Sequence, residues 1–470
     1  QARAAGARLP GQGADLELRG QADLDLAQQT LKAVPLRLKA LGIEAELSVV
    51  VEAIQTAPRY NAALDTRDVD LRAVLGRLGA GPIATADPGA LTRAALETRV
   101  SGTAESASLS PFVLRLDGST VEGRVTLASF AGPAVRFDLQ ADHLDLDRYL
   151  PPPARPVSGD AAPAPVAPAS PAAAAGVASA LPLDLLRGLD LDGRLRVDAL
   201  KAGGLRASDV SLTVTAKDGV ITVDPAEAQL YGGTYAGRSR LDVRGDRPLF
   251  RVNEQLTRVQ AGPLLKDLLG EARVSGVADA TLRLEFSGED ARAIRRTVTG
   301  DGRFSVRDGA VAGVNLGRLL RQGEALVEGR APPAEEGPVE TDFSELRGTL
   351  QVTQGVVRNE DLQAKSPALR VEGRGSADLV RDQLDYLLTV HVVGTAKGQD
   401  GRELEKLRGV AVPVRVTGPL AAPRYRVELD DALKARAKDE AERRLEREIE
   451  KKLGPEGAEK AKELLRGLFR

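Results

Sequence analysis

The residue types able to do chemistry are few. Asp142, His143, Asp145 and Asp147 form the one carboxylate–imidazole cluster in the sequence. On an extended strand His143, Asp145 and Asp147 share one face, and Leu144 and Leu146 the other. That spacing suits a divalent cation. It is also what any half-buried strand shows when its polar face meets water, which is the plainer reading. His391 lies between Val390 and Val392 in an alternating apolar run and reads as structural. The chain has two His and no Cys. Thiolate metal sites, disulfides and Cys nucleophiles are therefore absent, and most His-based acid–base schemes with them. Gly6 and Gly11 have the separation of a phosphate loop, but Gln12–Gly13 stands where Lys and Ser or Thr are needed. Gly373–Arg374–Gly375 lies inside a strand pattern rather than between a strand and a helix. No Gly-x-Ser-x-Gly occurs to expose a nucleophilic serine. The expectation is a protein without catalytic residues, metal or cofactor.

The elements that would hold such groups come next. The 470 residues allow two to four domains. With 65 basic and 67 acidic residues the net charge is -2, which argues against a nucleic-acid partner. Trp is absent and aromatics make up 3%, so the core is aliphatic and base-stacking platforms are scarce. The chain starts at Gln1 and contains no Met, which points to a mature product or a fragment with an upstream targeting or anchoring segment missing. No apolar run of about 20 residues occurs, so no helix of this sequence spans a bilayer.

Residues 151–182 hold nine Pro and twelve Ala and few charges, which reads as an extended linker. It separates an N-terminal region, 1–150, from a C-terminal region, 183–430. Both alternate apolar and polar residues at period two. "DVSLTVTAKDGVITVDP" (209–225) reads as strand, turn at Asp218–Gly219, strand. "ADATLRLEFSG" (278–288), "ALRVEGRGSADLV" (368–380), "QLDYLLTVHVV" (383–393) and "AVPVRVTG" (411–418) continue the pattern, and in the more mixed N-terminal region 14–26, 35–51, 112–130 and "AVRFDLQADHLDLD" (134–147) read as strands. The fold expected is mainly β: a long, curled antiparallel sheet, groove-like or sandwich-like, with a few short helices. Helices are expected at 69–79, 87–97, 262–270 and 313–327. Residues 431–470 carry 12 basic and 10 acidic residues, with Leu433, Ala437, Ala441, Leu445, Ile449 and Leu453 on one stripe. They read as a charged amphipathic helical tail, either solvated or docked on a membrane surface or partner.

"VEGRVTLASFAGPAVRFDLQADHLDLDRYLPP" (121–152) resembles the segment that closes the N-terminal region of AsmA-family proteins. Residues 189–245, with Leu230–Tyr231–Gly232–Gly233–Thr234, are similar to that family's C-terminal domain, and 341–388 and 407–433 complete the likeness. The resemblance covers 110–433 well and 1–110 more loosely. It implies a periplasmic protein of outer-membrane biogenesis in a Gram-negative bacterium. The implied anchor is an N-terminal inner-membrane helix that this chain lacks. It implies a phospholipid partner, moved between the membranes along a β-sheet groove, and outer-membrane assembly components as further partners.

The residues add a physical reason. Many strands carry one aliphatic face, and few helices are available to cover them. Either a second sheet covers those faces, or the sheet curls on itself, or something apolar lies there. By alternation, the floor of a lipid groove falls on Val210, Leu212, Val214, Leu282, Leu284, Phe286, Leu369, Val371, Tyr386, Leu388, Val390, Val414 and Val416. A one-residue slip would invert any strand's choice. The competing reading from another class is a non-catalytic scaffold that assists outer-membrane protein assembly or targeting. An outer-membrane barrel alternates too, but six Tyr, eight Phe and no Trp do not build its aromatic girdles.

Overall fold

The computed structural model describes residues 2–4, 14–77, 83–151, 183–288, 290–327, 339–393 and 411–428. The Pro/Ala stretch, apart from Pro151, and the charged 431–470 segment lie outside the described residues. The chain is mostly β: its strands form a long antiparallel sheet with few short helices, the class expected from the alternation.

Two compact units are present. The first takes residues 1–272, 278–304 and 351–355, and the second residues 273–277, 305–350 and 356–470. In the first unit the strands before the Pro/Ala stretch are β1 (Ala2–Ala4), β2 (Ala14–Asp25), β3 (Thr30–Ala40), β4 (Ile43–Glu52), β5 (Arg59–Thr66), β6 (Ala94–Thr103), β7 (Ala107–Leu116), β8 (Ser119–Leu127) and β9 (Ala134–Asp145). After it come β10 (Asp190–Ala202), β11 (Leu205–Lys217), β12 (Val220–Leu230), β13 (Gly233–Asp242) and β14 (Leu249–Gln260). Each of these pairs antiparallel with the next, except that β9 pairs parallel with β10. That ladder puts residues on both sides of the Pro/Ala stretch into one unit, so the units part elsewhere than at the linker. Strands β15 (Val277–Ser287), β16 (Thr299–Ala312) and β17 (Glu340–Thr353) follow. Then come β18 (Val356–Lys365), β19 (Leu369–Asp378), β20 (Gln383–Val392), β21 (Ala411–Gly418) and β22 (Arg424–Val427), antiparallel in chain order.

The turns explain the tight antiparallel order. Asp218 and Gly219 have φ of 50° and 74°, which is the two-residue hairpin turn expected at that dipeptide. Three strands bulge at an X–Pro pair: Val34–Pro35, Ser110–Pro111 and Asp224–Pro225. Proline has no N–H to give the ladder, so it settles where the ladder skips a residue. Each bulge also corrects the phase. Ala33 and Leu36 are an odd number of residues apart, yet both keep to the same face.

The helices of the first unit sit at the strand ends. Helix α1 (Leu71–Arg77) packs Val74 with Val69, Ala94, Ile43 and Leu116. Helix α2 (Leu183–Arg187) is tied down by Arg187, which donates to the Val243 and Gly245 carbonyls at 2.8 and 3.0 Å. Helix α3 (Ala261–Leu269) follows β14, and its Asp267 accepts from the Tyr231 hydroxyl at 2.7 Å and from Arg206 at 2.9 Å. Helix α4 (Ala291–Thr297) starts at Asp290, whose carboxylate caps Ala293 N–H at 2.6 Å.

Two local expectations are corrected. Residues 87–93 form turns, and β6 begins at Ala94, where a helix over 87–97 was expected. The reason is Asp117, a buried side chain whose carboxylate accepts from the N–H groups of Leu91, Thr92 and Arg93 at 2.6, 3.2 and 3.1 Å. The strand over 134–147 ends at Asp145, where that side chain accepts from Asp147 N–H at 3.2 Å and opens a 3₁₀ turn.

Burial alone would raise the Asp117 carboxyl. The N–H groups of Leu91, Arg93 and Thr92, with the Tyr149 hydroxyl, outweigh it and hold the group below the ordinary carboxylate range. A depressed folded pKa stabilises above the unfolded value, near 3.9, and the contribution disappears as pH falls through the folded value. Asp117→Ala is therefore expected to lower stability at pH 7 by about 1–3 kcal/mol, since it orphans those N–H groups. In urea titrations the deficit should narrow below about pH 4, where the wild-type carboxylate also becomes protonated. A deficit constant from pH 7 to pH 3 would refute the assignment.

Candidate functional site: an aliphatic sheet face

The ladder registers of β2–β14 line up one face of the first unit, residue against residue. One row runs Gly20, Leu36, Leu47, Leu64, Thr98, Phe112, Gly123, Leu139, Leu195, Leu212, Ala226, Gly237, Glu254. Beside it runs Ala22, Ala33, Val49, Ala62, Val100, Leu109, Val125, Phe137, Gly193, Val214, Val223, Ser239, Val252. Outside these two lie parallel rows carrying Val121, Ala141, Val197 and Val210 on one side, and Leu127, Val135, Leu191 and Leu241 on the other. Paired residues in a ladder point the same way, so the rows form one aliphatic surface. At about 4.8 Å per strand it extends on the order of 60 Å along the sheet.

The opposite face is polar. Arg136 pairs with Asp190 at 2.7 Å, and Arg196 lies 3.7 Å from Asp138. The aliphatic side is packed sideways. Its cluster of Ala141, Val197 and Val210, with Val121, Leu144, Leu195, Leu200, Ala207, Leu212 and Ala228, draws only on β8–β12. The described contacts of this unit's helices fall at strand ends and turns: Val74 with Val69, Ala94, Ile43 and Leu116, Arg187 with Val243 and Gly245, Asp267 with Arg206 and Tyr231, and Thr297 with Ser287. Leu18 and Leu24, on the two outer rows, are 49% and 58% exposed.

Gly123 shows how tightly the face is drawn. Its φ is 146°, and a Cβ there would stand 2.0 Å from the Asp138 carbonyl oxygen of the neighbouring strand. Only glycine fits that close approach.

The expected floor residues divide between the units. Val210, Leu212 and Val214 occupy adjacent rows of this face. Phe286 stacks on Phe250, ring centroids 5.0 Å apart, which places Leu284 and Leu282 on the same side by alternation. In the second unit the outcome differs. Helix α5 (Leu316–Val327) lays Leu316 and Leu320 over Leu369, Val371, Val390 and Val414, which are 0–6% exposed. For these four the open floor is corrected: they line a closed helix–sheet core. Leu388 packs against that core, and Val416 is buried. Tyr386 is half-buried, and its hydroxyl bonds to Asn359. The expected floor includes no residue of the N-terminal region, although Leu36, Leu47, Leu64, Leu109 and Leu139 lie on the same aliphatic rows. Their period-two alternation was the available signal, interrupted at the proline bulges.

The carboxylate–imidazole cluster does not assemble. His143 Nδ1 lies 2.9 Å from Asp142 Oδ1, both exposed. Asp145 accepts from Lys201 at 3.2 Å, and Asp147 from Gly204 N–H at 3.0 Å. Among the described residues no group of three His, Cys, Asp or Glu side chains is placed to hold a metal ion. His391 is half-buried in β20. No helix among the described residues is long and apolar enough to cross a membrane.

Comparison with known proteins gives a family and one relative. No solved structure matches the chain. Protein AsmA of Escherichia coli (strain K12) is 25% identical over 370 residues, which cover 76% of this chain and 58% of that protein. The chain thus spans under two thirds of its relative's length. The AsmA family profile matches residues 5–362, and on that match, with the ladder of alternating strands described above, the chain belongs to the AsmA family.

Proposed function

We propose that this chain is a periplasmic, inner-membrane-attached protein of outer-membrane biogenesis, and that it holds phospholipid and passes it between the two membranes along the aliphatic face of β2–β14. The role is non-catalytic. The observation that carries the reading is the continuity of the aliphatic rows across successive strands, with the described helices at the strand ends. Burying apolar surface is favourable by about 0.8 kcal/mol per CH₂, so keeping a 16-carbon tail from water is worth on the order of 12 kcal/mol. A sheet face with no interrupting charge along most of its length offers that gain at every strand, so a tail can shift along it without crossing a polar step. Family membership supports the same reading.

The test is native mass spectrometry with lipid extraction on the chain purified without detergent. Phospholipid at a fixed stoichiometry is the expected result. A folded chain that carries no lipid, and takes none up from phospholipid vesicles, would overturn the proposal.

A further inference from the structure

Glu254 is the one charged side chain on the aliphatic rows of β2–β14. Tyr235 and Ser239 of β13 flank it. Between them, a Cβ on Gly237 would stand 2.3 Å from both Glu254 Oε2 and the Tyr235 hydroxyl, so glycine there leaves the carboxyl its space. Val252 and Leu256 adjoin it on β14, and the Phe250–Phe286 stack with the Arg251–Glu285 pair, at 2.6 Å, sets Leu282 beside it on β15. By alternation Arg238, Arg240, Asp242, Arg251, Asp279, Arg283 and Glu285 of these strands lie on the opposite face, and Arg258, whose φ is 55°, is exposed. Among the described residues no cation acts on the Glu254 carboxyl at close range. A carboxylate in apolar surroundings without a counter-ion becomes neutral rather than stay charged.

We propose that Glu254 is a proton-binding site coupled to acyl-chain occupancy of this face: hydrocarbon laid over β13–β15 strips water from the carboxyl, which takes a proton from solvent, so loading and protonation favour each other. The inference rests on the reading that the face holds acyl chains. Burial already places the Glu254 carboxyl above its ordinary value, against the neighbouring Tyr235 and Ser239 hydroxyls, which lower it, and its Oε2 is buried without a hydrogen-bond partner. A hydrocarbon cover adds to the burial and raises the group further. By linkage, lipid binding is strongest below the lipid-free pKa and weakens as pH rises towards the lipid-bound one. The rest of the face carries no charge, so lipid would dwell or release at these strands according to pH.

The experiment measures binding of a phosphatidylcholine with a pyrene-labelled tail, whose headgroup does not titrate between pH 5 and pH 9. For the wild-type chain the dissociation constant is expected to rise with pH, by up to about tenfold per unit for one coupled proton. Glu254→Gln should bind with no pH dependence, and at alkaline pH as tightly as the wild type does in acid. Binding that is equal and pH-independent in both proteins would overturn the coupling and leave the acyl-chain reading intact. A pH dependence that survives in Glu254→Gln would assign the proton elsewhere and also overturn it. No binding at any pH in either protein would remove the acyl-chain reading, and the coupling with it.

Discussion

Leu139→Asp combined with Leu284→Asp is expected to cut lipid retention by at least about a hundredfold. Leu139 lies on the central aliphatic row, and Leu284 on the same face of β15. Both side chains are half-buried, so a carboxylate at either position reaches water while the face is empty. Hydrocarbon laid over them removes that water. Each uncompensated carboxylate then costs several kcal/mol, and about 1.4 kcal/mol is already a factor of ten. The control is Arg283→Asp, one residue from Leu284 on the polar side. It changes the chain's charge by a comparable amount and should leave retention within about twofold, since a rim-exposed charge contributes little. Far-ultraviolet circular dichroism should stay β in all three proteins. Equal lipid content in folded double mutant and wild type would refute the site.

Leu320→Ala is expected to destabilise the second unit by about 2–5 kcal/mol. Leu320 is 1% exposed and lies in the core formed by α5 with Leu369, Val371, Val390, Val392, Val412 and Val414. Truncating it loses the burial of its side chain and leaves a cavity that β-branched neighbours on a hydrogen-bonded sheet cannot collapse to fill. In urea the transition of this unit should move to lower denaturant at unchanged slope. A loss under about 1 kcal/mol would mean that α5 does not hold this face in solution. The same core decides a related case. Leu388→Asp puts a charge against buried valines, so it is expected to unfold this unit rather than report on lipid. The two leucines, 284 and 388, have the same alternating environment in sequence. They differ only in what the fold lays over them.

That contrast marks how far the sequence reaches. Period-two alternation carries the mainly β class, the hairpin at Asp218–Gly219, and the side of β11 and β15 on which Val210, Leu212, Leu282 and Leu284 lie. These follow from strand geometry, which acts between a residue and its near neighbours along the chain. The helices α1, α3 and α5 follow likewise from local periodicity. The 87–97 segment shows where locality fails: Asp117, more than twenty residues away, gathers the N–H groups that a helix would have used.

Three features were decided by tertiary structure alone. The bulges at Val34–Pro35, Ser110–Pro111 and Asp224–Pro225 each shift the alternation by one residue. Counting by twos would then put Leu36 and Ala33 on opposite faces, and only the partner strand's register restores them to one. The parallel β9–β10 ladder joins residues on both sides of the Pro/Ala stretch, which composition marks as a boundary. The covering of β19–β21 by α5 turns one part of the expected floor into closed core while β2–β14 keep an aliphatic face. Alternation is written residue by residue, so it is enough to require that aliphatic faces exist. Which rows merge, and which of them a helix covers, depends on pairings between residues far apart in the chain, and those energies exist only once the strands have met.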